Sequence, residues 1–210
     1  MNPIFEFFFG QYLEYETIDV VLEIVAVFFG FLSVWFSKQN KVLVFPTGMI
    51  STIIFVYLLL KWQLLGDMLI NAYYFIMSVY GWYVWTKKVD EEHVTPISRT
   101  TLSEKKISAV IFFTTLIFVY LVYITFNKWT SWVAYIDTIT TAIFFVGMWL
   151  MARRKIENWI FWIIGDIISV PLYFYKGFTF TSLQYLGFTF IAIFGYLAWK
   201  KNINRKLQTV

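Results

Sequence analysis

Apolar residues in this chain come in long unbroken runs separated by short polar breaks. Seven runs stand out, over 18–36, 42–60, 65–85, 106–126, 132–152, 157–175 and 180–199. Each approaches the ~20 residues that a helix needs to cross ~30 Å of hydrocarbon. The runs are continuous rather than alternating in ten-residue segments, which argues against a membrane barrel. The pattern predicts an all-α membrane protein with seven transmembrane helices. Before the first run, residues 1–17 are rich in Phe and carry Glu6, Glu14 and Glu16. They read either as a short helix lying in the membrane interface or as a frayed tail.

The polar breaks carry the charge, and they carry it unevenly. Lys38, Lys41, Lys87, Lys88, Arg99, Lys105, Lys106, Arg153, Arg154, Lys155, Lys200, Lys201, Arg205 and Lys206 fall on one side of a seven-span chain. Only Lys61, Lys128 and Lys176 fall on the other. The positive-inside rule then puts the C-terminus in the cytoplasm and the N-terminus outside. Residues 86–105 form the one long connection, a cytoplasmic loop holding Asp90, Glu91, Glu92, His93 and Pro96. Residues 200–210 form a cytoplasmic tail.

Two segments end alike. Tyr80-Gly81-Trp82-Tyr83-Val84-Trp85 is followed by Thr86, Lys87 and Lys88; Phe194-Gly195-Tyr196-Leu197-Ala198-Trp199 is followed by Lys200 and Lys201. The offset is 114 for the Gly pair (195 minus 81) and for the Trp pair (199 minus 85). Each segment closes a block of three runs. This predicts a 3+1+3 plan: a first repeat over 18–85, a linking helix over 106–126 and a second repeat over 132–199. Three helices are an odd number, so two parallel repeats need one extra crossing between them. Internal duplication of this kind is typical of transporters, whose site lies at the repeat interface near the midplane. Gly48 and Gly165 sit 117 apart, which implies a small gap within the repeat. Pro46 and Pro171, one in the second helix of each half, are expected to kink their helices.

Composition narrows the chemistry. Apolar residues make up 60% and charged ones 14%, against ~45–50% and ~25% in a soluble domain. The chain has no Cys, which excludes disulfides, thiol catalysis and cysteine metal sites. Its net charge of +4 lies in loops and does not point to nucleic acid. His93, the one His, lies in the long loop, and neither a zinc-helix nor a phosphate-loop motif is present. No cofactor or metal is expected, and no enzyme activity. The lipid bilayer is the expected surrounding partner, and a homo-oligomer is compatible with everything read here.

Polar groups within spans are costly and mark function. They are Glu23, Asp67, Asn71, Asp137, Asp166 and Gln184. Glu23, Asp67 and Asp137 lie near span ends and read as interfacial. Asp166 lies nearest mid-span, and Trp162 shares its helical face one turn away. A ring and a carboxylate on one cavity face suit a flat, cationic, aromatic ligand. The amides of Asn71 and Gln184 suit hydroxyl groups.

Asp67 to Trp85 resembles the third helix of the PnuC family, the nicotinamide riboside transporters. Glu157 to Ser169, with Leu172-Tyr173 and Lys176-Gly177, is similar to that family's sixth helix and following loop. Gly195-Tyr196 and Trp199 close the seventh. The resemblance implies a 3+1+3 fold like that of SWEET sugar transporters. It implies uptake of a vitamin precursor by facilitated diffusion, with cytoplasmic phosphorylation trapping the product and a kinase linked in function but not in stable contact. By motif, Asn71, Trp162, Asp166, Gln184 and Tyr185 would line a central site. The family often has Gln where this chain has Asn71, and Asn where it has Asp166. Thiamine is therefore the second substrate reading after nicotinamide riboside. A membrane receptor or scaffold without flux is the alternative from another class. The expected location is a bacterial inner membrane.

Overall fold

The computed structural model describes residues 15–62, 65–87, 95–175 and 179–208. The expected N-terminal interfacial segment (apart from its last residues), His93 and the acidic run of the long loop lie outside them. Seven helices make up the described residues: α1 (Thr17–Lys38), α2 (Val44–Lys61), α3 (Leu65–Thr86), α4 (Leu102–Thr125), α5 (Trp132–Ala152), α6 (Asn158–Tyr175) and α7 (Thr179–Gln208). Six are long and apolar enough to cross a membrane. α3 matches them in length, but its four Tyr and two Trp lower its hydropathy. Ile76 on α3, Val110, Phe113 and Ile117 on α4, and Phe190 and Phe194 on α7 are exposed. Such apolar surface suits lipid and not water. Buried Thr hydroxyls within the helices donate to the preceding turn, Thr138 to the Ala134 carbonyl at 2.7 Å and Thr189 to Tyr185 at 2.9 Å. This satisfies them where no water is at hand.

Helix ends depart from expectation in three places. α4 starts four residues early, at Leu102. Thr101 caps it: its hydroxyl accepts from the Glu104 N–H while the Glu104 carboxylate accepts from the Thr101 N–H, a capping box. α7 runs on to Gln208, past the apolar run that ends at 199. Pro46 does not interrupt α2. It is the third residue, in the first turn, where N–H groups have no intrahelical partner anyway. Only Pro171 stands inside its helix.

α1, α4 and α5 all end with a residue in the left-handed region: Asn40 (φ 57°), Asn127 (φ 53°) and Arg154 (φ 60°). In each, the next residue reaches back to close the turn, as Lys41 N–H does to Phe36 and Lys155 N–H to Leu150, both 2.9 Å. Asn tolerates this conformation; Arg does so at a cost.

α1 and α3 flank α2, and α5 and α7 flank α6; α1 meets α7, and α3 meets α5. α4 packs on α5 and barely touches α3. The contacts between the halves come in matched pairs. Trp85 of α3 donates its indole N–H to the Met151 carbonyl at 3.2 Å, and Trp199 of α7 donates to Ser37 at 3.1 Å. Donors and acceptors are both displaced by 114 (199 minus 85, 151 minus 37). Each carbonyl also accepts the N–H that closes its helix, Arg154 on Met151 and Asn40 on Ser37. Arg154 donates to Asn40 Oδ1 at 3.0 Å, again 114 apart. A Cβ at Gly81 would lie 2.2 Å from the Phe45 ring, and one at Gly195 2.6 Å from Trp159. The offset is therefore constant through the second helices. The gap implied by pairing Gly48 with Gly165 is absent, because Gly48 faces Ser33 and Ser78 while Gly165 faces Phe144.

The cytoplasm-facing end, as the charge bias assigns it, is tied together by ion pairs. Glu104 meets Arg153 and Lys155, each at 3.1 Å, and Arg153 also donates to the Tyr80 hydroxyl at 3.0 Å. Arg154 lies 4.4 Å over the Trp85 ring and donates to the Thr95 carbonyl. Burial lowers its pKa from the ordinary arginine value, and these partners offset that cost.

Gly81→Ala and Gly195→Ala should each destabilise the protein by about 1–3 kcal/mol through overpacking. Gly187→Ala should be neutral or better, because its Cβ would meet Phe31 at an ordinary 3.8 Å. Thermal unfolding in one detergent, comparing the three, checks this. Trp85→Phe and Trp199→Phe should each cost about 1 kcal/mol for the lost hydrogen bond, plus a packing loss for the smaller ring. Measured the same way, Trp85→Phe should cost the more, because Arg154 also lies over that ring.

Candidate functional site

The mid-membrane polar residues gather where α3, α5, α6 and α7 face one another. Asp166 of α6 is 2% exposed. Tyr74 of α3 and Tyr185 of α7 are close enough to interact with it electrostatically, and Tyr173 interacts with both tyrosines. Tyr173 and Tyr185 stand 5.0 Å apart between ring centroids, with their hydroxyls in hydrogen-bonding reach.

Trp162 sits one turn before Asp166 and is half-buried. Its ring is 6.4 Å from Tyr74 and 5.4 Å from Phe144 of α5. Gly147 of α5 faces it: a Cβ there would lie 3.2 Å from Phe161 Cβ and at an ordinary 3.5 Å from Trp162 Cε2. Phe144 is nearly parallel to Tyr185, at 6.0 Å and 12°. Next to it, Phe145 stacks on Tyr73 at 3.8 Å and 9°, and the Tyr73 hydroxyl donates to the Phe145 carbonyl at 3.0 Å. The walls are thus aromatic rings held at fixed tilts, with one carboxyl group among them. No Lys or Arg lies within the middle of α3, α5, α6 or α7.

Of the residues read from sequence, the ring and electrostatic contacts join Trp162, Asp166 and Tyr185. Asn71 lies three residues before Tyr74, on the same helical face, and Gln184 adjoins Tyr185; both are half-buried. Asp137 lies apart, accepting from the Tyr123 hydroxyl at 2.9 Å, between α4 and α5. Glu23 is half-buried on α1, and the Asp67 side chain lies outside the described residues. Sequence reading missed Tyr73, Tyr74, Phe144, Phe145 and Tyr173. The adjacent pairs Tyr73-Tyr74 and Phe144-Phe145 were the available signal.

Two cavities, of about 360 and 290 Å³, lie elsewhere. One runs beside α4 between Lys105, Ser108 and Phe161, the other at the α4–α5 turn around Trp129. Among the described residues no group of His, Asp and Glu fits a metal ion.

The model of the nicotinamide mononucleotide transporter family matches residues 20–201. The chain belongs to this family. It is 23% identical over 205 residues to the nicotinamide riboside transporter PnuC of Escherichia coli (strain K12), covering 85% of this chain and 84% of that one. Identity to the PnuC of Neisseria mucosa is 24% over 201 residues, covering 89% and 74%. The riboflavin/roseoflavin transporter RibM of Streptomyces davaonensis is 25% identical over 130 residues, 59% of this chain and 58% of that one. The crystal structure of the vitamin B3 transporter PnuC superposes with a TM-score of 0.66, at 23% identity, over 97% of this chain and 91% of that one. The likeness establishes a shared fold. PnuC-family proteins are multi-pass membrane transporters, and so is this chain.

Proposed function

We propose that this transporter takes up nicotinamide riboside, by facilitated diffusion, across a bacterial inner membrane. The observation that carries the reading is the buried carboxyl group of Asp166 set among Trp162, Tyr74 and Tyr185. Nicotinamide riboside is a flat pyridinium cation bearing a neutral ribose. The rings offer stacking and cation–π attraction, about 0.5–2 kcal/mol each, and the carboxylate offers the opposite charge. Asn71 and Gln184 serve the ribose hydroxyls. The same site disfavours the mononucleotide, because a phosphate would be buried beside a carboxyl group with no Lys or Arg to pair it. Phosphorylation in the cytoplasm therefore makes the product a poor ligand for the return path, which traps it.

The matched contacts at an offset of 114 support a 3+1+3 arrangement of two parallel three-helix repeats, with α4 as the linking helix. Alternating access then comes from the two triplets rocking about the site. The charge bias supports an outside N-terminus and a cytoplasmic C-terminus.

Trp162→Ala should abolish riboside uptake into vesicles while the purified variant stays folded; wild-type uptake would remove Trp162 from the site. Asp166→Asn should weaken riboside binding roughly tenfold or more, an opposite-charge contact in a dry site being worth over 1 kcal/mol. Parallel calorimetry with nicotinamide riboside and thiamine decides between the two cations. Binding without flux in reconstituted vesicles would instead indicate a receptor.

A further inference from the structure

Phe144 stands in the slot that a flat ligand would use. Its ring lies 5.4 Å from Trp162 at 30°, and 6.0 Å from Tyr185 at 12°. It is the one ring in contact with both. Its edge rests on the backbone of Gly165, where a Cβ would be 2.3 Å from Phe144 Cε1. Gly165 immediately precedes Asp166. A Phe ring thus touches both Trp162 and Tyr185 and packs on the residue before Asp166, and it is 8% exposed.

The other half of the molecule has no such ring. Displacement by 114 relates Phe144 to Gly30, Gly165 to Ser51 and Trp162 to Gly48. Gly30 and Ser51 do meet, a Cβ at Gly30 lying 3.2 Å from Ser51 Oγ. The contact is kept in both halves, but small residues make it in the first half. Close packing of α5 on α6 therefore does not require a Phe at this position. The two cavities described above are not lined by Asp166, Trp162 or Phe144.

We propose that Phe144 is a self-plug: its ring holds the place of the substrate's ring, and loading requires it to swing out as the flat cation enters. It acts as a specificity-determining residue, because only a ligand that stacks between Trp162 and Tyr185 repays its displacement. This rests on the substrate reading above. A closed slot weakens apparent affinity by the fraction of molecules in which it is open. Removing the plug should raise affinity, whereas removing a wall of the site would lower it.

The test is calorimetry of nicotinamide riboside and thiamine on detergent-purified wild type, Phe144→Ala and Phe144→Leu. Phe144→Leu keeps most of the apolar volume and guards against loss of folding in the alanine variant. Binding of either cation roughly five- to tenfold tighter in the variants supports the plug, as does binding seen in a variant alone. Unchanged or weaker binding in folded variants of a wild type that does bind overturns the plug and leaves the substrate reading standing. Absence of binding in all three proteins overturns both.

Discussion

Two indole N–H groups hold the halves of this molecule together. Trp85 reaches from the first half to a carbonyl of the second, and Trp199 returns the contact. Each carbonyl lies in the last turn of its helix, where the regular helical donor is missing and only the turn-closing N–H reaches it. Where water is scarce, the second lone pair of such a carbonyl and an indole N–H both need a partner. The exchange therefore satisfies two chain ends and two ring donors at once. It also fixes what surrounds it: Gly81 and Gly195 are bare so that Phe45 and Trp159 can meet the same two rings edge to face.

From this closed end the helices run outward with different linings. The first half brings small residues to its interior, Gly30, Ser33, Gly48 and Ser51, and packs tightly. The second brings Phe144 and Trp162 to the places of Gly30 and Gly48, with Tyr185 of α7 and Tyr74 of α3 against them. Most of the rings of the candidate site, and its carboxyl group, thus come from α5, α6 and α7. Divergence of side chains on a shared backbone pattern is enough to produce such a site.

Much of this could be read in the sequence, for reasons that differ by feature. The helices were legible because hydrocarbon demands uninterrupted apolar runs, and six of the seven pass that test directly. Their ends were less so. The start of α4 depends on a capping box in polar residues, and α7 continues past the membrane as an ordinary polar helix. The Gly and Trp repeat was legible, but not its purpose, since Met151 and Ser37 contribute through backbone atoms that carry no sequence signal. Trp162 and Asp166 stood out through their spacing on one face. Phe144 did not, being one of 24 Phe in a chain where an aromatic residue within an apolar run is ordinary. Arg154 was hidden for the opposite reason: nothing local favours Arg in a left-handed turn, and its partners at Asn40, Thr95 and Trp85 lie far away in the chain.

Asn40 and Arg154 lie 114 apart and touch each other; in the proposed 3+1+3 arrangement they stand beside the approximate two-fold axis relating the halves. Residues at such a position in a symmetric dimer must be identical. Two copies of the first half would set amide against amide, and two copies of the second would set one buried guanidinium against another. Only unlike halves give a donor facing an acceptor. Carrying both in one polypeptide therefore lets the junction be asymmetric, and it makes each half prefer its covalent neighbour to a copy of itself.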